Sequence, residues 1–128
     1  MIYQGLNLMI CPRTYLVLVT ETLVAQDIAQ TITDFDPASK VICAGSLAAA
    51  EVAVAAEHAI EIAFVAGNPG QFAQSALHRG LIARGSRVVL LGYEAEASGP
   101  TPVFDVLQQP FDTAAVVAKL LAGQHSYA

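Results

Sequence analysis

The side chains that could perform chemistry in this sequence are few, and their spacing fits no familiar kind of reactive site. The two cysteines, Cys11 and Cys43, and the three histidines, His58, His78 and His125, show no metal-ligand spacing. No obvious base neighbours Cys43 along the chain, so we interpret it as a buried apolar residue rather than a reactive thiol. We expect the histidines at the surface and both cysteines as free thiols of a cytoplasmic protein. These residues therefore predict no metal, no cofactor and no catalytic group.

Charge and hydropathy argue against two classes of partner. The 128 residues predict a single domain, whose net charge is -5 and whose six Lys and Arg form no cluster. Binding to a nucleic-acid backbone requires clustered cations, so we expect no nucleic-acid partner. No stretch approaches the length of about 18 apolar residues that crosses a membrane, so we expect no membrane partner. Charged residues make up only 13%, which favours a face buried in an oligomer as much as a merely alanine-rich surface.

Residues 61–70 predict a buried strand that is followed abruptly by a loop. Apolar residues run without alternation from Ile62 to Ala66, as in a parallel strand covered on both faces. The loop Gly67-Asn68-Pro69-Gly70 follows at the carboxyl end of this strand, where open α/β sheets place their sites. The loop could bind an anion, although a tight turn is the simpler interpretation. The methyl group of Ala66, at the strand end, can serve as neither acid, base, nucleophile nor metal ligand.

Strand and helix patterns alternate five times along the chain. Apolar runs are followed by segments with helical spacing, but Gly99, Pro100 and Pro102 restrict the fourth helix to one or two turns. This alternation predicts a parallel sheet with helices on both faces. The predicted strands span residues 14–19, 40–44, 62–66, 87–91 and 103–108, and the predicted helices span residues 20–34, 47–57, 71–84, 93–98 and 113–122. We divide the chain into an N-terminal extension (1–13), the domain (14–123) and a frayed tail (124–128).

Four short motifs together resemble the receiver domain of bacterial two-component response regulators. They are ETLVAQDI at 21–28, AFVAGNPG at 63–70, LGY at 91–93 and QPFD at 109–112, the last of which is similar to the family's Lys-Pro-Phe-Asp signature. The resemblance covers about residues 14–121. It implies a CheY-like fold, in which a five-stranded parallel sheet of the flavodoxin-like order 2-1-3-4-5 carries helices on both faces, here with a short or irregular fourth helix.

At the positions that match the family's phosphorylation site, the required chemistry is missing. Mg²⁺ prefers oxygen ligands that include carboxylates, and phosphoryl transfer also needs a nucleophile and a charge-stabilising cation. At best one carboxylate remains near the metal position. The degenerate positions are Val19 and Thr20 for the two metal-binding acids (or Thr20 and Glu21 in the neighbouring register), Ala66 for the phosphoacceptor aspartate, Leu91 for the Thr or Ser, and Gln109 for the lysine.

We therefore interpret the chain as a stand-alone pseudo-receiver, a receiver-like domain that cannot be phosphorylated. We expect a non-enzymatic role in signal transduction through contacts with a partner protein. A homodimer is also possible, through the last strand and Ala114, Val117 and Leu121 or through another face. The alternative is a small-ligand binder or flavodoxin-like enzyme that uses the pocket at the carboxyl ends of the strands. A third interpretation is a regulatory subunit of a larger signalling enzyme. Tyr93 is predicted to be either an exposed contact residue or a lid over the pocket.

Overall fold

Five parallel strands form a single sheet in the order β2-β1-β3-β4-β5, as predicted. The computed structural model describes residues 13–101, 104–109 and 111–125. The N-terminal extension lies outside these residues except for its last position, and so does the end of the predicted tail. The strands are β1 (Thr14–Leu18), β2 (Lys40–Ala44), β3 (Ile62–Ala66), β4 (Arg87–Leu91) and β5 (Phe104–Leu107).

Six helices flank the sheet in the described part of the chain: α1 (Thr22–Phe35), α2 (Leu47–Ala55), α3 (Pro69–Ala73), α4 (Ala76–Ala83), α5 (Tyr93–Ser98) and α6 (Thr113–His125). The helix α5 is short, as expected for the fourth crossover. The single helix predicted over residues 71–84 is wrong, because the chain breaks it into α3 and α4. The Ser75 hydroxyl accepts a hydrogen bond from the His78 amide at 3.1 Å and donates to the Phe72 carbonyl at 2.7 Å. Serine thus caps a new helix instead of continuing the old one.

Two apolar layers bury both faces of the sheet. On one face, α1 and α6 cover Val17, Phe64 and Leu91, and we call this layer the α1/α6 face. On the other face, α2, α3, α4 and α5 cover residues such as Leu16 and Val65. Because side chains alternate along each strand, successive residues of the unbroken apolar runs enter opposite layers. No helix in the described residues is long and apolar enough to cross a membrane.

Candidate functional site

The carboxyl ends of the strands and the loops that follow them form one edge of the sheet, which we call the crest. In the sheet, β2 lies on one side of β1, and β3, β4 and β5 lie on the other side of it. The crest therefore has a topological switch point between β1 and β3, which is where open α/β sheets bind ligands. All the residues matched to the phosphorylation site lie at this edge, because each of them ends or follows a strand.

The centre of the crest is apolar. Ala66 is half-buried at the end of β3 and stands in register with Leu91 at the end of β4. Leu91 is 1% exposed and packs with Val19, which is 6% exposed, in the apolar layer of the α1/α6 face. On the α1/α6 face, aliphatic side chains thus pack around Ala66, whereas a phosphorylation site needs carboxylates and a hydrated metal ion. No cluster of three or more His, Cys, Asp or Glu within the described ranges could hold a metal.

The polar residues matched to the phosphorylation site are exposed, and none of them supplies a positive charge. Thr20 and Glu21 are exposed at the start of α1, and the Glu21 side chain makes no capping hydrogen bond to that helix. Gln109 is exposed, and its backbone amide donates to the Glu96 carboxylate at 3.1 Å. A carboxylate therefore binds the chain at Gln109, the position that the sequence comparison matches to the family's lysine. An anionic phosphoryl group there would meet a negative charge instead of a positive one.

Within the described residues, the charged side chains in the loops and first helical turns that follow the strands are all acidic. Carboxylates follow the ends of β1, β4 and β5, on Glu21, Glu94, Glu96 and Asp112. No basic residue follows a strand end. The six basic residues lie at or just before the start of a strand, within a helix or at a helix C-cap: Arg13, Lys40, Arg79, Arg84, Arg87 and Lys119. Such a distribution repels anionic ligands from the crest and attracts cationic ones.

The loop after β3 is a capped turn and offers no anion cradle. The Asn68 side-chain oxygen accepts a hydrogen bond from the Gln71 amide at 3.0 Å, which caps α3. The Asn68 side-chain nitrogen donates to the Glu94 carboxylate at 2.7 Å. A protein carboxylate therefore already sits beside this loop, and the tight-turn interpretation is the one that fits. Tyr93, next to Glu94, is 87% exposed; it is no lid, and the contact-residue interpretation remains.

A cleft of about 200 Å³ opens at the switch point, between the ends of β1 and β3 and the starts of α2 and α3. We call it the β1–β3 cleft. Its surface is mainly apolar, and no charged side chain of the described residues lines it. The lining consists of Leu18, Leu47, Val65, Ala66, Gly67 and Phe72 with the polar Thr20, Ser46, Asn68 and Gln71. A larger opening of about 520 Å³ lies at the opposite edge of the sheet, where Arg87 and Asp105 already pair with each other at 3.6 Å.

Two residues with reactive side chains lie elsewhere than the sequence predicts. Cys43 is exposed, not buried, because β2 is an edge strand whose cover is incomplete. Partial burial nevertheless raises the pKa of the Cys43 thiol, which lowers its thiolate fraction at neutral pH. His78 is half-buried rather than at the surface, because its ring lies between Phe72 and Phe104, with centroid distances of 5.3 and 5.2 Å. Neither residue lines the β1–β3 cleft.

Solved structures of receiver proteins share this fold. A response regulator receiver domain protein from Bacillus halodurans C-125 matches with a TM-score of 0.67 and 14% identity over 88% of this chain and 97% of its own. SdrG from Sphingomonas melonis Fr1 matches with a TM-score of 0.66 and 23% identity over 88% and 95%. A response regulator receiver protein from Sinorhizobium medicae WSM419 matches with a TM-score of 0.62 and 22% identity over 88% and 97%. No protein-family model and no curated protein matches the sequence. The likeness shows the fold, which is that of receiver domains.

Proposed function

Taking the receiver fold as the premise, we propose that this chain is a pseudo-receiver that acts in cytoplasmic signal transduction through protein contacts. It carries out no catalysis, and no phosphoryl group switches it. The observation that carries this proposal is the pairing of Ala66 with Leu91 at the ends of β3 and β4, where an acyl phosphate would have to form. An alanine methyl group cannot accept a phosphoryl group.

The surroundings of Ala66 support the same conclusion. A bound Mg²⁺ keeps several waters and uses one or two carboxylates, so its site must be polar. Here Leu91 and Val19 are almost fully buried in an apolar layer on this side of the strand ends. A polar group left in such a layer without its ligand would be costly, because it would lose its hydration without gaining a partner. Leu91 and Val19 are therefore the residue types expected at a site that no longer holds an ion.

The charge of the crest argues against any phosphorylated ligand. Receiver chemistry relies on a lysine cation, and the matching position, Gln109, carries no charge. The backbone amide of Gln109 is bonded to Glu96, and Asn68 on the other side is bonded to Glu94. A phosphate group would have to approach these carboxylates with no basic residue nearby to offset its charge.

The alternative function, a small-ligand binder or flavodoxin-like enzyme, has weaker support. The β1–β3 cleft measures about 200 Å³, whereas pockets for drug-sized ligands and cofactors span about 300–1,000 Å³. Among the described residues, no Asp, Glu, His, Cys or Lys lines it to act as acid or base, and the Ser46 hydroxyl already caps α2. A cleft of this size and polarity suits a contact made by part of another protein better than it suits a cofactor.

The test is a titration of the protein with Mg²⁺ and beryllofluoride, which mimics an acyl phosphate, followed by amide NMR. We expect no shift of the amides at the ends of β3 and β4, because neither the metal ligands nor the acceptor is present. A receiver domain that retains its aspartate serves as the positive control under the same conditions. Saturable shifts centred on Ala66 would contradict the proposal.

A second copy of the chain is one candidate partner. The exposed edge of β5 has few free hydrogen-bonding groups: the Phe104 amide and carbonyl bond to Thr101 at 2.9 and 2.8 Å, and the Val106 amide bonds to the Asp105 carboxylate at 2.8 Å. Pairing two β5 strands would break these bonds. A dimer would instead use the outer side of α6, at Ala114, Val117 and Leu121. Sedimentation at tens of micromolar tests this, and a lone monomer would rule it out.

A further inference from the structure

The β1–β3 cleft has the size of one apolar side chain. An apolar cavity of about 150 Å³ holds a benzene ring, and this cleft measures about 200 Å³. Its base is made of Leu18, Val65 and Phe72, which are at most 6% exposed. An aromatic or branched aliphatic group that entered the cleft would cover this surface without displacing a charged residue.

The two lips of the cleft are fixed in place by helix caps. On one lip, the Ser46 hydroxyl accepts from the Ala49 amide at 3.1 Å and so fixes the start of α2, where Leu47 is 44% exposed. On the other lip, Asn68 caps α3 and is itself bonded to Glu94. The cleft is therefore formed before any partner arrives, which lowers the entropy cost of binding.

Carboxylates flank the opening on both sides, and no Lys or Arg of the described residues lines it. Glu21 directly follows Thr20, which lines the cleft, and Glu94 is bonded to Asn68, which lines it too. An incoming segment with Lys or Arg beside its apolar residue would be attracted, whereas an acidic one would be repelled. The rim thus selects for the charge of the partner, while the base of the cleft selects for an apolar group.

We infer that the β1–β3 cleft is the docking site for a protein segment that inserts one apolar side chain between flanking basic residues. This rests on the proposed function, because it assigns the contact surface through which the pseudo-receiver acts. The occupant is a peptide segment of another protein. The switch point of the sheet then binds an apolar side chain instead of a phosphate group.

The probe is a capped pentapeptide with a central phenylalanine and two lysines on each side. Methyl NMR follows Leu18, Leu47 and Val65 during the titration. We expect saturable shifts at these methyl groups, and weaker binding as added salt shortens the screening length from about 10 Å at 0.1 M to about 3 Å at 1 M. Matched peptides with a central alanine, or with glutamates in place of the lysines, should give no saturable shifts.

Two matched variants locate the binding site. Leu47→Lys places a cation at the lip, and Val52→Lys makes the same change on α2 at a residue that is 74% exposed and does not line the cleft. We expect Leu47→Lys to weaken peptide binding by at least about tenfold, because it removes apolar contact and adds repulsion. Val52→Lys should leave the affinity within about twofold of the wild type. If Leu47→Lys fails to fold, a second pair of variants replaces it. Glu21→Lys at the crest should weaken binding of the basic peptide, whereas Asp34→Lys, at the far end of α1, should leave the affinity nearly unchanged.

The inference is overturned if the basic peptide gives no saturable shift, if the acidic peptide binds equally well, or if both variants of a pair behave alike. Each of these results leaves the proposed function intact provided that beryllofluoride also fails to bind. Binding of beryllofluoride at Ala66 would contradict the proposed function itself, whatever the peptide does. The two claims therefore fail in distinguishable ways.

Discussion

Ala66→Asp places a carboxyl group at the end of β3, at the position that we match to the phosphoacceptor aspartate of receiver domains. Its surroundings are unfavourable, since Ala66 is half-buried in register with Leu91 and, among the described residues, packs against an apolar layer that contains no basic side chain. An unpartnered polar group in such a place destabilises a fold by about 1–3 kcal/mol. At about 4 °C per kcal/mol for a domain of this size, the melting temperature should fall by roughly 4–12 °C.

The effect of pH separates the charge from the added volume. Partial burial should raise the pKa of the new carboxyl group above its value of about 3.9 in the unfolded chain. The folded state then binds more protons than the unfolded state, so stability falls as the pH rises through the folded pKa. We expect a small deficit near pH 4 and the full deficit at pH 7. Ala66→Asn adds nearly the same volume without a charge, and its deficit should not change with pH.

The assay is thermal melting followed by circular dichroism, for the wild type and both variants, with and without Mg²⁺ and beryllofluoride. Beryllofluoride should stabilise none of them. Restoring a phosphoryl site should require at least Thr20→Asp, Ala66→Asp and Gln109→Lys together. An Ala66→Asp variant that melts like the wild type and is stabilised by beryllofluoride would refute the reasoning, because it would reveal a site still built for phosphate.

Two further predictions concern the core. Leu91→Ala should lower the free energy of unfolding, measured in urea, by about 2–5 kcal/mol, since Leu91 is 1% exposed. The control Leu121→Ala, at a residue that is 41% exposed, should lower it by less than about 1 kcal/mol. Equal losses would show that Leu91 is not part of the packed layer. Burial raises the pKa of the Tyr15 hydroxyl, opposed by its hydrogen bond to Arg13, so the folded protein should lose stability as the pH rises from about 10 through the raised folded value. Tyr15→Phe should remove this part of the alkaline loss in urea titrations, and an unchanged pH profile would contradict it.

Most of the fold could be predicted from sequence because its signals are local. The unbroken apolar run from Ile62 to Ala66 predicts the observed bounds of β3, and Lys40–Ala44 and Arg87–Leu91 are predicted equally well. Each run is ended by a turn, and β3 and β4 are buried on both faces whereas β2, at the edge of the sheet, is only partly covered. Helix continuity over residues 71–84 was predicted wrongly, since Ser75 caps a helix only when its hydroxyl finds the His78 amide, which local propensity alone does not determine.

The candidate site was harder to predict because it depends on contacts between distant parts of the chain. The strand order predicts that the positions matched to the phosphorylation site lie at one edge of the sheet. Nothing in the sequence indicates that Glu94 binds Asn68 or that Glu96 binds the Gln109 amide. The nearest signal was a pair of glutamates in the first turn after β4. The exposure of Cys43 depends on how much cover an edge strand receives, and that is a property of tertiary packing.

The most direct test of the central claim is incubation with acetyl phosphate and Mg²⁺, followed by intact-mass measurement under conditions that preserve acyl phosphates. A receiver domain with an intact aspartate must become labelled in parallel. For this protein we predict an unchanged mass, because Ala66 offers no nucleophile and the part of the chain that the structure describes holds no cluster of metal-binding side chains. A stoichiometric gain of one phosphoryl group would contradict the account, since it would show that the crest still performs the chemistry that its residues are inferred to have lost.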